Sequence, residues 1–264
     1  MDDDSKSVAS VDASPPADAR FHRMLRRRLR DGAQYHGLVK TFWEMISSVY
    51  HIMIELTPAR KKTRYGDLDY DLEYSVNTTR ANINLRTQLM ATLAGHPYFA
   101  TEPWLFEQIM RALPEDLHEF TFVDLGSGKG RALLMASDYP FRHILGAEFL
   151  PVLHDAAKKN IEKYSSEQQQ CKRIESLCTD ARDLALPTGP LVVYMFNSFP
   201  EPVFVKVLEN LRRSVEENPR PVYVAYRYLE FETLLQKCEW LEKAAGTEHW
   251  AVYKGIARSH SNSG

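Results

Sequence analysis

Three glycines alternate with other residues behind an aspartate in the stretch Val123 to Arg131, VDLGSGKGR. Glycine lets a ligand approach the backbone closely and accepts positive φ, so such a turn suits phosphate or nucleoside binding, and the spacing decides which. A phosphate-binding P-loop needs G-x-x-x-x-G-K-[ST]; here Gly128-Lys129 is followed by Gly130, and no glycine stands five residues before Gly128, which excludes it. The dinucleotide fingerprint G-x-G-x-x-G, counted from Gly126, needs a glycine where Arg131 stands. What remains is D-x-G-x-G-x-G, with Lys129 and Arg131 read as polar helix-start residues facing solvent. Other chemistry-bearing residues lie downstream: Glu148, the pair Asp180-Ala181, and Asn197 with Phe199 in FNSFP. His96, His143, His154 and His249 are scattered and read as surface or packing histidines. With no H-E-x-x-H pattern and no clustered ligand spacing, no metal is implied. The three cysteines form no C-x-x-C pair, which gives neither a disulfide framework nor a cysteine zinc site, and reads as reduced thiols.

The elements that must position these residues follow from hydrophobic patterning. Residues 120–124 read as a short buried strand, 126–130 as a turn and 131–137 as a helix start. Further strands are expected at 143–148, 174–178, 191–196 and 221–226, with helices at 151–164, 202–216 and 231–237. A strand pair around 240–243 and 249–253 closes one edge. This alternation implies a parallel sheet covered on both faces. Asp124 with its glycines, Glu148, Asp180 and Asn197 then each follow one of four successive strands, the ligand side of an open α/β sheet. Upstream, residues 80–94 and 103–113 show helical spacing, the latter with Pro103 suited to the first turn and Thr101 to a cap, while 59–79 read as loop.

Over about residues 98–257 this set of motifs resembles the class I S-adenosylmethionine-dependent methyltransferases. The resemblance implies a Rossmann-like α/β sheet, mostly parallel with an antiparallel C-terminal edge strand, and S-adenosyl-L-methionine as cofactor. It places the backbone of Gly126 and Gly128 against the methionine part, which Asp124 holds through its ammonium or a water. Glu148 would accept from both ribose hydroxyls, and Asp180 with the N–H of Ala181 would meet the adenine. Tyr98, Thr101 and Glu102 fall where several such groups fold a loop over the methionine end. Phe196-Asn-Ser-Phe199 looks like the N-x-F segment of the non-SET histone-lysine methyltransferases, and more loosely like the [DN]-P-P-[FY] motif of amino-group methyltransferases. That implies Asn197 and Phe199 at the reacting centre, Asn197 also beside the cofactor, orienting an amine lone pair next to an aromatic ring. Ser198 and Phe199 replace the paired prolines, so the motif points toward an amine nitrogen without naming the acceptor. Methyl transfer needs alignment and water exclusion more than a dedicated base.

Composition bounds the rest. With 264 residues, 44% hydrophobic, 26% charged and a net charge of -2, the chain reads as globular, and neither a disordered polymer nor a globally basic nucleic-acid binder. Residues 1–19 read as a disordered tail without the apolar core of a secretory signal, and a cytoplasmic location is expected. Residues 20–97 read as a helical extension forming a substrate entrance or partner surface, and 258–264 as a flexible tail. Between Arg20 and Arg64 eleven Lys and Arg face three acids, a local balance of +8; a solvated helical face is the expected meaning. The alternative function is a catalytically silent module recognising nucleic acid or an acidic surface through Arg20 to Arg30, with nucleic acid not favoured as a partner. The apolar run from Leu38 to Leu56 is broken by Lys40, Glu44, His51 and Glu55, too short to span a bilayer. It reads as a buried or interfacial helix available for self-association or docking.

Overall fold

The computed structural model describes residues 17–37, 43, 46, 68–79, 98–196 and 199–256. Its elements run α1 (Ala17–His36), α2 (Leu68–Glu73), α3 (Pro103–Arg111), β1 (Thr121–Leu125), α4 (Arg131–Ala136), β2 (His143–Glu148), α5 (Pro151–Lys163), β3 (Ile174–Cys178), a 3-10 turn (Ala181–Asp183), β4 (Leu191–Phe196), α6 (Glu201–Glu217), β5 (Val222–Arg227), α7 (Glu232–Gln236), β6 (Leu241–Gly246) and β7 (Trp250–Gly255). Prolines at the first turns of α3, α5 and α6 set the helical φ where an N–H would have no partner.

One seven-stranded sheet of order β3-β2-β1-β4-β5-β7-β6 organises the chain. The β1–β2, β1–β4, β2–β3 and β4–β5 pairs are parallel, and β7 runs antiparallel to both neighbours. This is the parallel sheet that the strand–helix alternation implies, in the Rossmann-like α/β architecture that the resemblance implies. The antiparallel strand β7 slots between β5 and β6, leaving β6 outermost with a register shift at Lys243/Ala245. Such an irregularity, with the exposed Glu242 and Lys243, blunts an edge that would otherwise recruit another strand.

The central strands β1 and β4 are buried on both faces, and β4 reads as a continuous apolar run rather than an alternation. On one face Phe122, Ile144 and Tyr194 meet Leu105, Phe106 and Ile109 of α3 and Leu133 and Leu134 of α4. The opposite face sets Val123, Leu125, Val193 and Met195 against Phe204, Val207 and Leu211 of α6. By register Asp124 lies between Gly146 of β2 and Tyr194 of β4, at the carboxyl end of the sheet where its neighbours also stop.

Two expectations change. Residues 59–79 contain the helix α2, a single turn and a half whose Tyr70 and Asp71 are buried; its short apolar pattern is indistinguishable from loop in sequence. The helix at 103–113 ends at Arg111. Of the expected tail at 1–19, residues 17–19 belong to the helix α1, and the rest of it, the C-terminal tail, the 80–94 helix and most of Leu38 to Leu56 lie outside the described residues; Trp43 and Ile46 are helical and exposed. No described helix is long and apolar enough to cross a membrane.

Candidate functional site

The chain leaves β1 at Leu125 and turns under β2, with the N–H groups of Gly126 and Ser127 both donating to the Ala147 carbonyl at 2.8 and 3.1 Å. Gly126, Gly128 and Gly130 take φ of 89°, 56° and 87°, a left-handed succession that residues with a Cβ resist. At Gly128 an added Cβ would lie 2.2 Å from Tyr98 Cε2, so glycine is required there by space as well as by φ. The turn is braced by Glu148 at the end of β2: Oε2 accepts the Gly128 N–H at 2.8 Å and Oε1 the Leu150 N–H at 2.7 Å.

Asp124 is 3% exposed, and no group among the described residues donates a hydrogen bond to its carboxylate. Burial, and then the charge of Glu148, push its carboxyl well above the usual range. Two carboxylates thus face one glycine turn, and the inner one meets no cation among the described residues. A ligand carrying an ammonium or hydroxyls, and able to lie flat on backbone, matches that donor demand.

Asp180, after β3, is oriented differently from the expectation. It caps the 3-10 turn by accepting the Arg182 N–H at 3.0 Å, and its carboxylate is gripped by Arg182 Nε at 3.0 Å and Nη2 at 2.8 Å. Arg182 also donates to Asp31 of α1. Asp180 is therefore committed to a protein ion pair, because a buried guanidinium two residues away forms a fork matching both oxygens. Ala181 opens the 3-10 turn beside it.

Tyr98, Thr101 and Glu102 do come to this end of the sheet, and each has a protein partner. The Tyr98 hydroxyl donates to the Thr78 carbonyl at 2.7 Å, Thr101 Oγ1 shares a 2.7 Å hydrogen bond with the Tyr194 hydroxyl, and Glu102 accepts from Arg227 Nη2 at 3.0 and 3.2 Å. Thr101 does not cap α3, whose N-cap residue is Glu102 without a side-chain cap. Asn197 lies outside the described residues. Phe199 is 1% exposed and packs in the α6 core, its ring 6.4 Å from that of Phe204.

Lys129 and Arg131, expected in solvent, are 3% and 1% exposed. Arg131 Nε donates to Thr78 Oγ1 at 2.6 Å, its Nη2 lies 3.4 Å from Asp71 Oδ1, and its guanidinium sits 4.8 Å from the Tyr70 ring centroid. Lys129 Nζ donates to Asn77 Oδ1 at 2.9 Å and to the Thr79 carbonyl at 2.8 Å. Burial lowers the Lys129 ammonium to about 8, with Asp71 opposing the shift and Arg131 adding to it. Sequence reading missed Asp71, Asn77, Thr78, Asn160, Arg182 and Tyr194 altogether; none carries a local pattern that separates it from a surface polar residue.

The basic helix α1 is docked rather than free. Arg27 pairs with Asp183 at 2.6 Å, Asp31 with Arg182, and the Tyr35 hydroxyl reaches Glu201 of α6 at 3.4 Å. Its Arg23, Arg26 and Arg30 are exposed, as a solvated face requires. No cluster of three His, Cys, Asp or Glu able to hold a metal occurs among the described residues.

No family model matches the chain, and no curated protein matches it. Solved structures do. An RNA methyltransferase from Salinibacter ruber, crystallised with S-adenosyl-L-homocysteine, is 18% identical over 62% of this chain and 97% of its own, with a TM-score of 0.43. A ribosomal protein L11 methylase from Lactobacillus delbrueckii subsp. bulgaricus is 17% identical over 65% of this chain and 80% of its own, with a TM-score of 0.41.

Proposed function

We propose that this chain is an S-adenosyl-L-methionine-dependent methyltransferase, with an amine nitrogen as the favoured acceptor. The observation that carries the reading is the pair Asp124 and Glu148 set on a turn of three positive-φ glycines, at the carboxyl ends of β1 and β2. When bound, the cofactor supplies an electrophilic methyl group on a sulfonium. Asp124 offers a buried carboxyl that gives up its proton on meeting the α-ammonium, and the cost of ionising it alone is what that contact relieves. Glu148, held at the end of β2 by two backbone donors, is the acid for the vicinal ribose hydroxyls. Gly128 leaves room for the Tyr98 ring, which packs on the turn.

The departures narrow the reading rather than remove it. Asp180 is held by Arg182, so adenine recognition falls to backbone and apolar contacts unless that pair rearranges. The acceptor reading rests on the sequence FNSFP alone, in which Asn197 would orient the lone pair of a neutral amine.

Isothermal titration with S-adenosyl-L-methionine and S-adenosyl-L-homocysteine, with NADH as control, tests the cofactor. Micromolar binding of both sulfur nucleosides and none of NADH is the expected result. Glu148→Ala should weaken both by about 10- to 100-fold, the worth of one or two charge-assisted hydrogen bonds. Undiminished binding in that variant removes Glu148 from the site.

A further inference from the structure

We propose that the segment Leu68–Thr79 is a clamp for the glycine turn and that Lys129 is the positioning residue through which it acts. The inference rests on the cofactor reading above for its purpose, and on geometry alone for its existence.

Two cations flanking Gly130, the N-cap of the six-residue helix α4, are an unfavourable choice. The helix N-terminus carries positive potential, and burial strips both groups of water. A solvated face would avoid these costs, yet Lys129 and Arg131 are buried. What compensates them comes from one short segment far away in sequence.

Asp71 supplies the carboxylate. It accepts the N–H groups of Thr78 at 2.9 and 2.8 Å and of Thr79 at 2.8 Å, and the Thr78 hydroxyl. Although burial opposes it, these donors and Arg131 hold its carboxyl below the usual range. The segment is thereby folded on itself into a rigid hook before it meets the turn. From the hook, Thr78 Oγ1 takes Arg131, Asn77 Oδ1 and the Thr79 carbonyl take Lys129, and the Thr78 carbonyl takes the Tyr98 hydroxyl.

Asn160 of α5 closes the arrangement from the other side. Its Oδ1 accepts the Asn77 N–H at 2.8 Å, while its Nδ2 donates to the carbonyls of Asn77 at 3.0 Å and Lys129 at 2.9 Å. One buried amide thus ties the hook, the turn and a sheet-covering helix together. Lys129 is gripped at both ends, carbonyl and ammonium, immediately after Gly128. Glycines that can adopt many conformations are expensive to hold in one, and this grip meets that expense before any ligand arrives. Tyr98, anchored to the same hook, rests its ring over Gly128 and sets how closely a ligand can lie.

The test uses the full chain with Lys129→Met, Lys129→Arg and Asn77→Ala, read by amide hydrogen exchange at residues 126–131 and by titration with S-adenosyl-L-homocysteine. Exchange at the turn should quicken by about 10-fold in Lys129→Met and in Asn77→Ala, with protection of β1 and β4 retained. Affinity should fall by about 10-fold in Lys129→Met and return to within about threefold in Lys129→Arg, which keeps the donors. Wild-type exchange at the turn in both Lys129→Met and Asn77→Ala overturns the clamp; so does equal loss in the Met and Arg variants, which marks mere packing. Should the wild-type protein bind no sulfur nucleoside, the cofactor reading fails by itself, and the exchange comparison still decides the clamp.

Discussion

At the scale of single residues, Asp124 carries a tension between stability and binding. Its carboxyl is raised in the folded state by burial and by Glu148, so the folded protein holds a proton there that the unfolded chain releases near pH 4. Stability therefore declines as pH rises from about 4 through the folded value, because ionisation is costlier inside than outside. Asp124→Asn removes that slope. Its melting temperature should match the wild type near pH 4 and exceed it progressively toward pH 8, while sulfur-nucleoside binding is lost. Parallel melting curves across that range would show that Asp124 meets a cation in the free protein. A gain in stability with a loss of ligand is the expected mark of a group kept for binding.

At the scale of elements, the glycine turn works only because neighbouring pieces leave it room. Gly146 of β2 is a second tight point beside Gly128: a Cβ there would lie 2.7 Å from Leu133 Cδ1 of α4 and 2.7 Å from Ser127 Oγ. Gly146→Ala should cost about 1–3 kcal/mol by overpacking, measured by denaturant unfolding. Because the intrusion pushes on α4 and on the turn at once, ligand affinity should fall with it. Unfolding at the wild-type midpoint would show that α4 is free to shift away from the sheet.

At the scale of the molecule, the described residues before residue 98 join the rest at two places, through the hook of Leu68–Thr79 and through α1. The second junction runs from Asp31 to Arg182, and from Arg182 to Asp180. Asp31→Ala leaves Arg182 paired with Asp180 alone, at a cost of about 1–3 kcal/mol. Tryptic cleavage among the arginines of α1 should accelerate, with the sheet still unfolding cooperatively. Cleavage at the wild-type rate would mean that the α6 contacts of α1, including Tyr35 with Glu201, hold the helix unaided.

Strand and helix identity, and the order in which the ligand-facing residues occur, were written locally. A continuous apolar run such as that of β4, or proline in the first turn of α5, acts within a few residues and can be read there. The spacing D-x-G-x-G-x-G likewise specifies a backbone path that Gly126, Gly128 and Gly130 then follow. Partnership across long sequence distances was not legible. Lys129 reads as a surface lysine until Asn77 and Thr79 are folded over it, and Asp180 reads as free until Arg182 turns back on it. The placement of a charged group in water or in a buried pair depends on what the fold brings alongside, since desolvation and compensation are both set by atoms distant in the chain. Residue type and spacing therefore determined the framework and the carboxylates on its turn, whereas only tertiary packing decided which charged groups remain open to a ligand and which are spent on the protein itself.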